Sequence, residues 1–481
     1  MTGLYDRQSS RLTIVGLCGV GLAYPLQQAL IIPALPALAR DLHTSVGWST
    51  WILTIFLLSA AVSAPLVGRL GDQFGKKRML VASTVLVLGG AIGATFAWNI
   101  WSLIVFRAVA GLGGATTALS LSILRDEFPR AKLSHAIGLV TGVFGLGGAI
   151  GIGSAGLVID QLSWRWLFGI GGVAIGVAGG LVAWLVPESP QRAPARLDIP
   201  GAALFAGGVL CLLVGLTEVQ RWGLASGRIL GLLVAGFVLL VVWGRAEARS
   251  ETPMIDVRLL ARRPVVLTHL ATLLGGFALF GIFVLVPHFV EAPYGLSAQE
   301  ARLVDYGFGA SSSQVGIYLA PAVFVQFFAG PVAGLLGARL GSKWPFALGL
   351  GLEACGAAAL ARWHAVPAEV IAGMFVVGTG FGLLAASAPR LVADAVAPTE
   401  TGVVTGMNSL ALSFGGVAAG QLVAVLLASD TIGVSAVPTE SAFTLTFSTA
   451  SLVALAGMAL ALLIRRPRGM PRPNACACRI A

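Results

Sequence analysis

From Leu12 to Ala39 the chain carries no charged residue. A bilayer-crossing helix needs about 20 mostly apolar residues, so this stretch is long enough to span, and it is too long and unbroken for a cleaved signal peptide. Comparable apolar runs follow at 47–68, 79–98, 101–123, 135–159, 165–187, 198–217, 226–246, 264–290, 314–339, 345–363, 367–391, 402–428 and 441–464, counting the first as 12–38. The pattern predicts an all-α polytopic membrane protein with 14 transmembrane helices. An even count places both termini on one side.

Composition sharpens this reading. Hydrophobic residues make up 57% of the 481 and charged residues only 11%, against roughly 25% charged in soluble domains. That excludes a water-soluble fold and a disordered chain. The 63 Gly follow no three-residue period and five Cys are too few for a disulfide scaffold, so fibrous and disulfide-rich classes are excluded as well. With the N-terminus in the cytoplasm, 24 of the 31 Lys and Arg fall at cytoplasmic helix ends and loops, six fall outside, and Arg107 lies within a span. That asymmetry supports cytoplasmic termini and a cell (plasma or inner) membrane location. The net charge of +10 then meets anionic lipid headgroups, not nucleic acid. No phosphate-binding Gly-x4-Gly-Lys-Ser/Thr run, metal-ligand spacing or nucleophile elbow occurs, so no enzyme activity, cofactor or metal is predicted.

One stretch is repeated. Gly68-Arg69-Leu70-Gly71-Asp72-Gln73-Phe74-Gly75-Lys76-Lys77 follows the second segment, and Gly334-Leu335-Leu336-Gly337-Ala338-Arg339-Leu340-Gly341-Ser342-Lys343 follows the tenth. Both copies sit in predicted cytoplasmic turns after the second helix of a six-helix block. Internal repeats of this kind mark secondary transporters. The chain thus divides into an N-terminal six-helix bundle (1–190), two linker transmembrane helices (191–250), a C-terminal six-helix bundle (251–466) and a cytoplasmic tail (467–481). The glycines permit close helix approach. Asp72, with Lys76 and Asp126, is expected to latch the cytoplasmic side.

At these residues the sequence resembles the major facilitator superfamily (MFS), and within it the 14-helix drug:proton antiporter branch of multidrug efflux transporters. Gly68 to Met79, with Gly71, Asp72, Gly75, Lys76 and Lys77, is similar to its motif A. Leu103-x3-Arg107-x3-Gly111-x-Gly113-Gly114-Ala115 is similar to motif B, and Gly138-x8-Gly147-x3-Gly151-x4-Gly156 to the antiporter motif C. The resemblance implies an MFS fold and proton-coupled efflux of hydrophobic or amphipathic compounds by alternating access, with the substrate, protons and membrane lipids as partners. An exporter of an endogenous lipid or anionic metabolite, or a non-transporting membrane sensor, are the other readings. The chain departs from the branch where coupling residues usually stand. Gln27 takes the place of a first-helix Asp, Ile152 that of the motif C Pro, Ala110 that of the motif B Gln, and Ala338 that of the second motif A acid.

Ionisable residues deep in a membrane helix are functional candidates by default. Arg107 is one, as a coupling or cavity charge. Glu353, in the middle of the eleventh segment, is the other. It is either a proton carrier or a protonated structural residue on a helix that is peripheral in the resembled fold. Gln27, Gln28, Thr116, His269, Gln326 and Asn408 are candidates for the sparse polar groups of a largely apolar cavity.

Overall fold

The computed structural model describes residues 2–44, 46–128, 130–188, 198–223, 226–250, 257–293, 304–396, 401–432 and 437–464. The chain is helical almost throughout; among the described residues the only β pairing is an isolated bridge between Thr431 and Pro438. In order the long helices are α1 (Thr2–Ala29), α2 (Val46–Phe74), α3 (Lys76–Thr95), α4 (Ile100–Gly111) continued by α4′ (Thr116–Glu127), α5 (Arg130–Gln161) and α6 (Trp164–Leu185). They are followed by α7 (Ile199–Thr217), α8 (Gly227–Arg249), α9 (Arg263–Glu291), α10 (Ser312–Leu340), α11 (Lys343–Arg362), α12 (Pro367–Ala393), α13 (Thr401–Ser429) and α14 (Glu440–Leu462). Thirteen helical spans among the described residues are long and apolar enough to cross a bilayer, α4 with α4′ making one of them. The described apolar stretch of α2, Trp51–Ala64, is shorter than those thirteen.

Two apolar runs do not form single helices. The first breaks after Ala29, where Pro33 and Pro36 impose a 3-10 turn (Ile32–Ala34) and a short helix (Leu35–Asp41), because proline supplies no N–H and clashes with the preceding turn. The fourth breaks at 112–115, where Gly113 and Gly114 make short-range bonds to the carbonyls of Ala110 and Gly111. There the backbone is wedged between neighbours. A Cβ on Gly111 would lie 2.5 Å from the Phe56 carbonyl of α2, and one on Gly114 2.6 Å from Cα of Ala60. By contrast α5, with no proline, runs unbroken for 32 residues.

Within each end of the molecule, helices distant in the chain pack together as well as neighbours. α1 packs on α5 and α6, α3 on α4 and α6, while α9 packs on α13 and α14 and α11 on α12 and α14. The ends meet mainly at α5 with α10 and at α2 with α13. α7 and α8 pack on each other, and Phe205, Val209 and Leu213 of α7 share a buried cluster with Leu58 of α2 and with Leu410 and Val417 of α13. Large apolar side chains such as Trp184, Phe96 and Trp98 are exposed, as a lipid-facing surface requires.

The sequence repeat is a repeat in conformation. Gly75, at the start of α3, has φ 111°, and Gly341, just before α11, has φ 89°. Each turn needs a left-handed residue, which glycine adopts without strain.

Candidate functional site

At the first repeated turn, α3 begins against the end of α4′. Lys76 Nζ lies 2.7 Å from Asp126 Oδ2, both side chains about nine-tenths buried. A second acid completes the junction. Glu188, just beyond α6, accepts the Lys77 backbone N–H at 3.0 Å and stands 3.6 Å from Arg78 Nε. A carboxylate there complements the positive end of the α3 dipole. The Asp72 side chain is outside the described part of the structure. At the second turn Ser342 Oγ donates to Asp394 Oδ2 at 3.4 Å, and Lys343 Nζ donates to the Leu462 carbonyl at 2.7 Å. Burial raises the Asp394 carboxyl above its ordinary range, opposed by Ser342 and Arg390.

Arg107 is held by α4, whose start is fixed by a capping box between Asn99 and Ser102. The side chain is fully buried. Its Nε donates to the Ile52 carbonyl at 3.2 Å, and Cζ lies 4.2 Å from the centre of the Phe56 ring and 6.0 Å from that of Phe168. Neither Nη1 nor Nη2 has a hydrogen-bond partner among the described residues. The aromatic faces supply part of the missing stabilisation. Tyr24 packs on the same Phe56 ring, at 5.9 Å between centroids.

Gln27 is buried with neither amide atom partnered among the described residues, its side chain packed on Gly171 of α6. Thr116, at the start of α4′, is fully buried, and its hydroxyl has no partner among the described residues. Gln28 is half-buried. Gln326 donates to the Ala322 carbonyl of its own helix and packs between Gly145 of α5 and Gly382 of α12. Two others join α9 to α13. Thr272 Oγ1 donates to Asn408 Oδ1 at 2.9 Å, and His269 Nε2 faces the Val404 carbonyl at 3.2 Å, which fixes the proton on that nitrogen.

Glu353 is fully buried on α11, and neither carboxylate oxygen has a partner among the described residues. It faces the glycines of two other helices. A Cβ on Gly275 of α9 would lie 3.3 Å from Oε2, and one on Gly380 of α12 3.0 Å from Cγ. The side chain is therefore turned into the bundle, away from lipid.

The glycines of α5 serve two neighbours. Gly147 and Gly151 press on α1, where Cβ atoms would meet the carbonyls of Leu22 and Leu26, the second at 2.7 Å. Gly142, Gly145 and Gly148 instead face α10, at Phe327, Gln326 and Val323. On α10, Gly316 returns the approach; a Cβ there would lie 2.9 Å from the Ile152 carbonyl. Gly156 is buried, and Gly138 lies within α5. Sequence reading missed Gly142, Gly145 and Gly148, although their spacing of three was visible. It missed Glu188 because nothing local ties that residue to a turn 111 positions away. No group of three His, Cys, Asp or Glu among the described residues could hold a metal ion.

The profile of the Major Facilitator Superfamily matches residues 17–307 and 301–475. The tetracenomycin C resistance and export protein of Streptomyces glaucescens is 30% identical over 417 residues, covering 84% of this chain and 73% of that protein. The multidrug transporter protein MdtP of Bacillus subtilis is 25% identical, covering 85% and 74%, and the multidrug resistance protein Stp of Mycobacterium tuberculosis is 27% identical, covering 82% and 72%. Among solved structures, an auto-inhibited POT family peptide transporter superposes with a TM-score of 0.63 at 20% identity, covering 95% of this chain and 98% of the other. The human organic anion transporter MFSD10 superposes with 0.60 at 15% identity, covering 95% and 99%; these two speak for the fold alone. The chain belongs to the major facilitator superfamily and is a multi-pass transporter of the cell membrane, not an enzyme.

Proposed function

We propose that the protein exports hydrophobic or amphipathic small molecules in exchange for protons, by alternating access between two six-helix halves. In this reading α2 is the fourteenth span, both termini are cytoplasmic, and α7 with α8 is a linker hairpin between the halves. One observation carries the reading. The two ends of the molecule meet along α5 and α10 through glycines and ring faces, without an ion pair among the described residues there. A seam of that kind slides with little electrostatic cost. The export functions printed for the Streptomyces, Bacillus and Mycobacterium relatives support the substrate class. Lys76 with Asp126, and Glu188 on α3, serve as the cytoplasmic latch, and Arg107 serves as the fixed charge of the N-terminal half.

A second reading, export of an anionic lipid or metabolite, is favoured by the two unpartnered nitrogens of Arg107. Uptake of cationic, neutral and anionic fluorescent amphiphiles into inside-out membrane vesicles separates the two. The first reading predicts uptake of cationic or neutral probes that a protonophore abolishes. Uptake confined to anionic probes contradicts it in favour of the second, and uptake that survives the protonophore contradicts proton coupling.

A further inference from the structure

We propose that Glu353 is the residue that binds and releases the coupling proton, an inference that rests on the proton-coupled reading above. The internal repeat shows what the carboxyl is not needed for. The register that sets Gly75 on Gly341 also sets Gly90 on Gly356, and these two glycines do the same work. Gly90 of α3 meets the Ala110 backbone nitrogen and the Phe106 carbonyl of α4, while Gly356 of α11 meets the Val377 nitrogen and the Gly373 carbonyl of α12. In that register Glu353 falls on Val87, which is fully buried. The environments correspond as well. Val87 Cγ2 lies under Gly113, in the break between α4 and α4′, as Glu353 lies under Gly380 of α12. One fold position therefore holds valine in one half and a carboxylic acid in the other. Packing is satisfied by the valine, so the acid is retained for its proton chemistry.

The surroundings suit a site that is emptied and filled. Gly275 of α9 and Gly380 of α12 face Glu353. Ser451 of α14 bonds to the neighbouring Ala354 carbonyl and leaves the carboxyl untouched. No charged group among the described residues acts on the carboxyl. A carboxylate there would have neither water nor a partner, so in this conformation the group is accommodated with its proton. Release needs a path. α9 carries Thr272 and His269 at successive turns from Gly275 toward its inner end, bonded to Asn408 and Val404 of α13. Sliding of α9 against α13 would break those bonds and admit water along this line. The O–H bond of Glu353 then breaks, the proton passes to water on the cytoplasmic side, and a proton from the outer side restores it in the next half-cycle.

The test is substrate-driven proton movement, read with a trapped pH indicator in proteoliposomes, for wild type, E353Q and E353V, alongside substrate counterflow, which needs no net proton movement. The proposal expects counterflow in all three and proton movement lowered about tenfold or more in both variants. Proton movement at the wild-type level in either variant overturns the proposal and leaves proton coupling standing. Loss of counterflow in variants that unfold at the wild-type temperature also overturns it, since the acid would then be needed for substrate translocation itself and not for the proton alone. Wild type that exchanges substrate without moving protons overturns the coupling reading and this inference with it. A further measurement needs no variant. Substrate-induced infrared difference spectra of wild-type protein carrying isotope-labelled glutamate should show loss of a protonated, dehydrated carboxyl band. An unchanged carboxyl region overturns the proposal.

Discussion

At the scale of single residues, the repeat provides substitutions the fold has already tried. The register that pairs Gly113 with Gly380 sets Arg107 on Met374, and both are fully buried. Replacing a buried, incompletely paired charge by an apolar residue of similar volume is often neutral or stabilising by about 1–4 kcal/mol. Arg107→Met should therefore fold with an unfolding temperature at or above that of wild type and lose transport. A destabilised Arg107→Met would instead mark the guanidinium as a brace between α4 and the Ile52 carbonyl. Lys76 and Asp126 behave differently, because they are paired. Asp126→Asn should cost about 1–3 kcal/mol in thermal unfolding, and the double exchange Lys76→Asp with Asp126→Lys should recover part of it. Arg107 and Glu353 were legible in the sequence because a charge inside an apolar run is conspicuous. What they touch was not: the Phe56 and Phe168 rings around Arg107 and the Gly275 and Gly380 faces around Glu353 come from other helices.

Among the elements, apolar runs located the helices well and their interruptions poorly. The break at 112–115 is set by contact with α2 and α3, a tertiary cause with no local signature beyond three glycines. The division of labour along α5 was hidden for the same reason, since a glycine announces a close approach but not which helix approaches. The two faces predict different outcomes. Gly145→Leu drives a side chain into Phe327 and Gln326 across the seam with α10, and should reduce transport about tenfold while α5 remains folded against α1. Gly151→Leu, aimed at the Leu26 carbonyl within one half, should instead lower stability by about 1–3 kcal/mol, as overpacking does. Transport and thermal unfolding of the two variants distinguish seam from core.

The turn before α14 makes a pH prediction. Asp430 Oδ2 accepts from Ser441 Oγ at 2.5 Å and Thr439 Oγ1 at 2.6 Å, and these bonds hold its carboxyl below the ordinary Asp range. A depressed value means that the turn is secured above the ordinary Asp range and loosens as pH falls through the lowered one. Hydrogen exchange of Thr439 and Ser441 amides should accelerate only on strong acidification. In Ser441→Ala the acceleration should begin at higher pH; an identical profile in the variant contradicts the assignment.

For the whole molecule, in the proposed two-half architecture, the matched positions of the repeat carry unlike charges, an arginine on α4 and a glutamate on α11, each matched by an apolar residue at the corresponding position. That asymmetry was not visible from either residue alone, because it depends on two local registers, Gly75 with Gly341 for Val87 and Glu353, and Gly113 with Gly380 for Arg107 and Met374, and the second comes from helix contacts. In the proposed cycle it would give the N-terminal half a fixed charge and the C-terminal half an exchangeable proton. The loss of the first-helix acid at Gln27 fits this arrangement, since the acid lies in the other half. The most direct measurement is accumulation of a cationic amphiphile by purified protein in liposomes with an acidic lumen and no nucleotide. The account predicts accumulation that scales with the imposed pH difference and collapses with an ionophore. Accumulation indifferent to the pH difference, or none above protein-free liposomes, would contradict it.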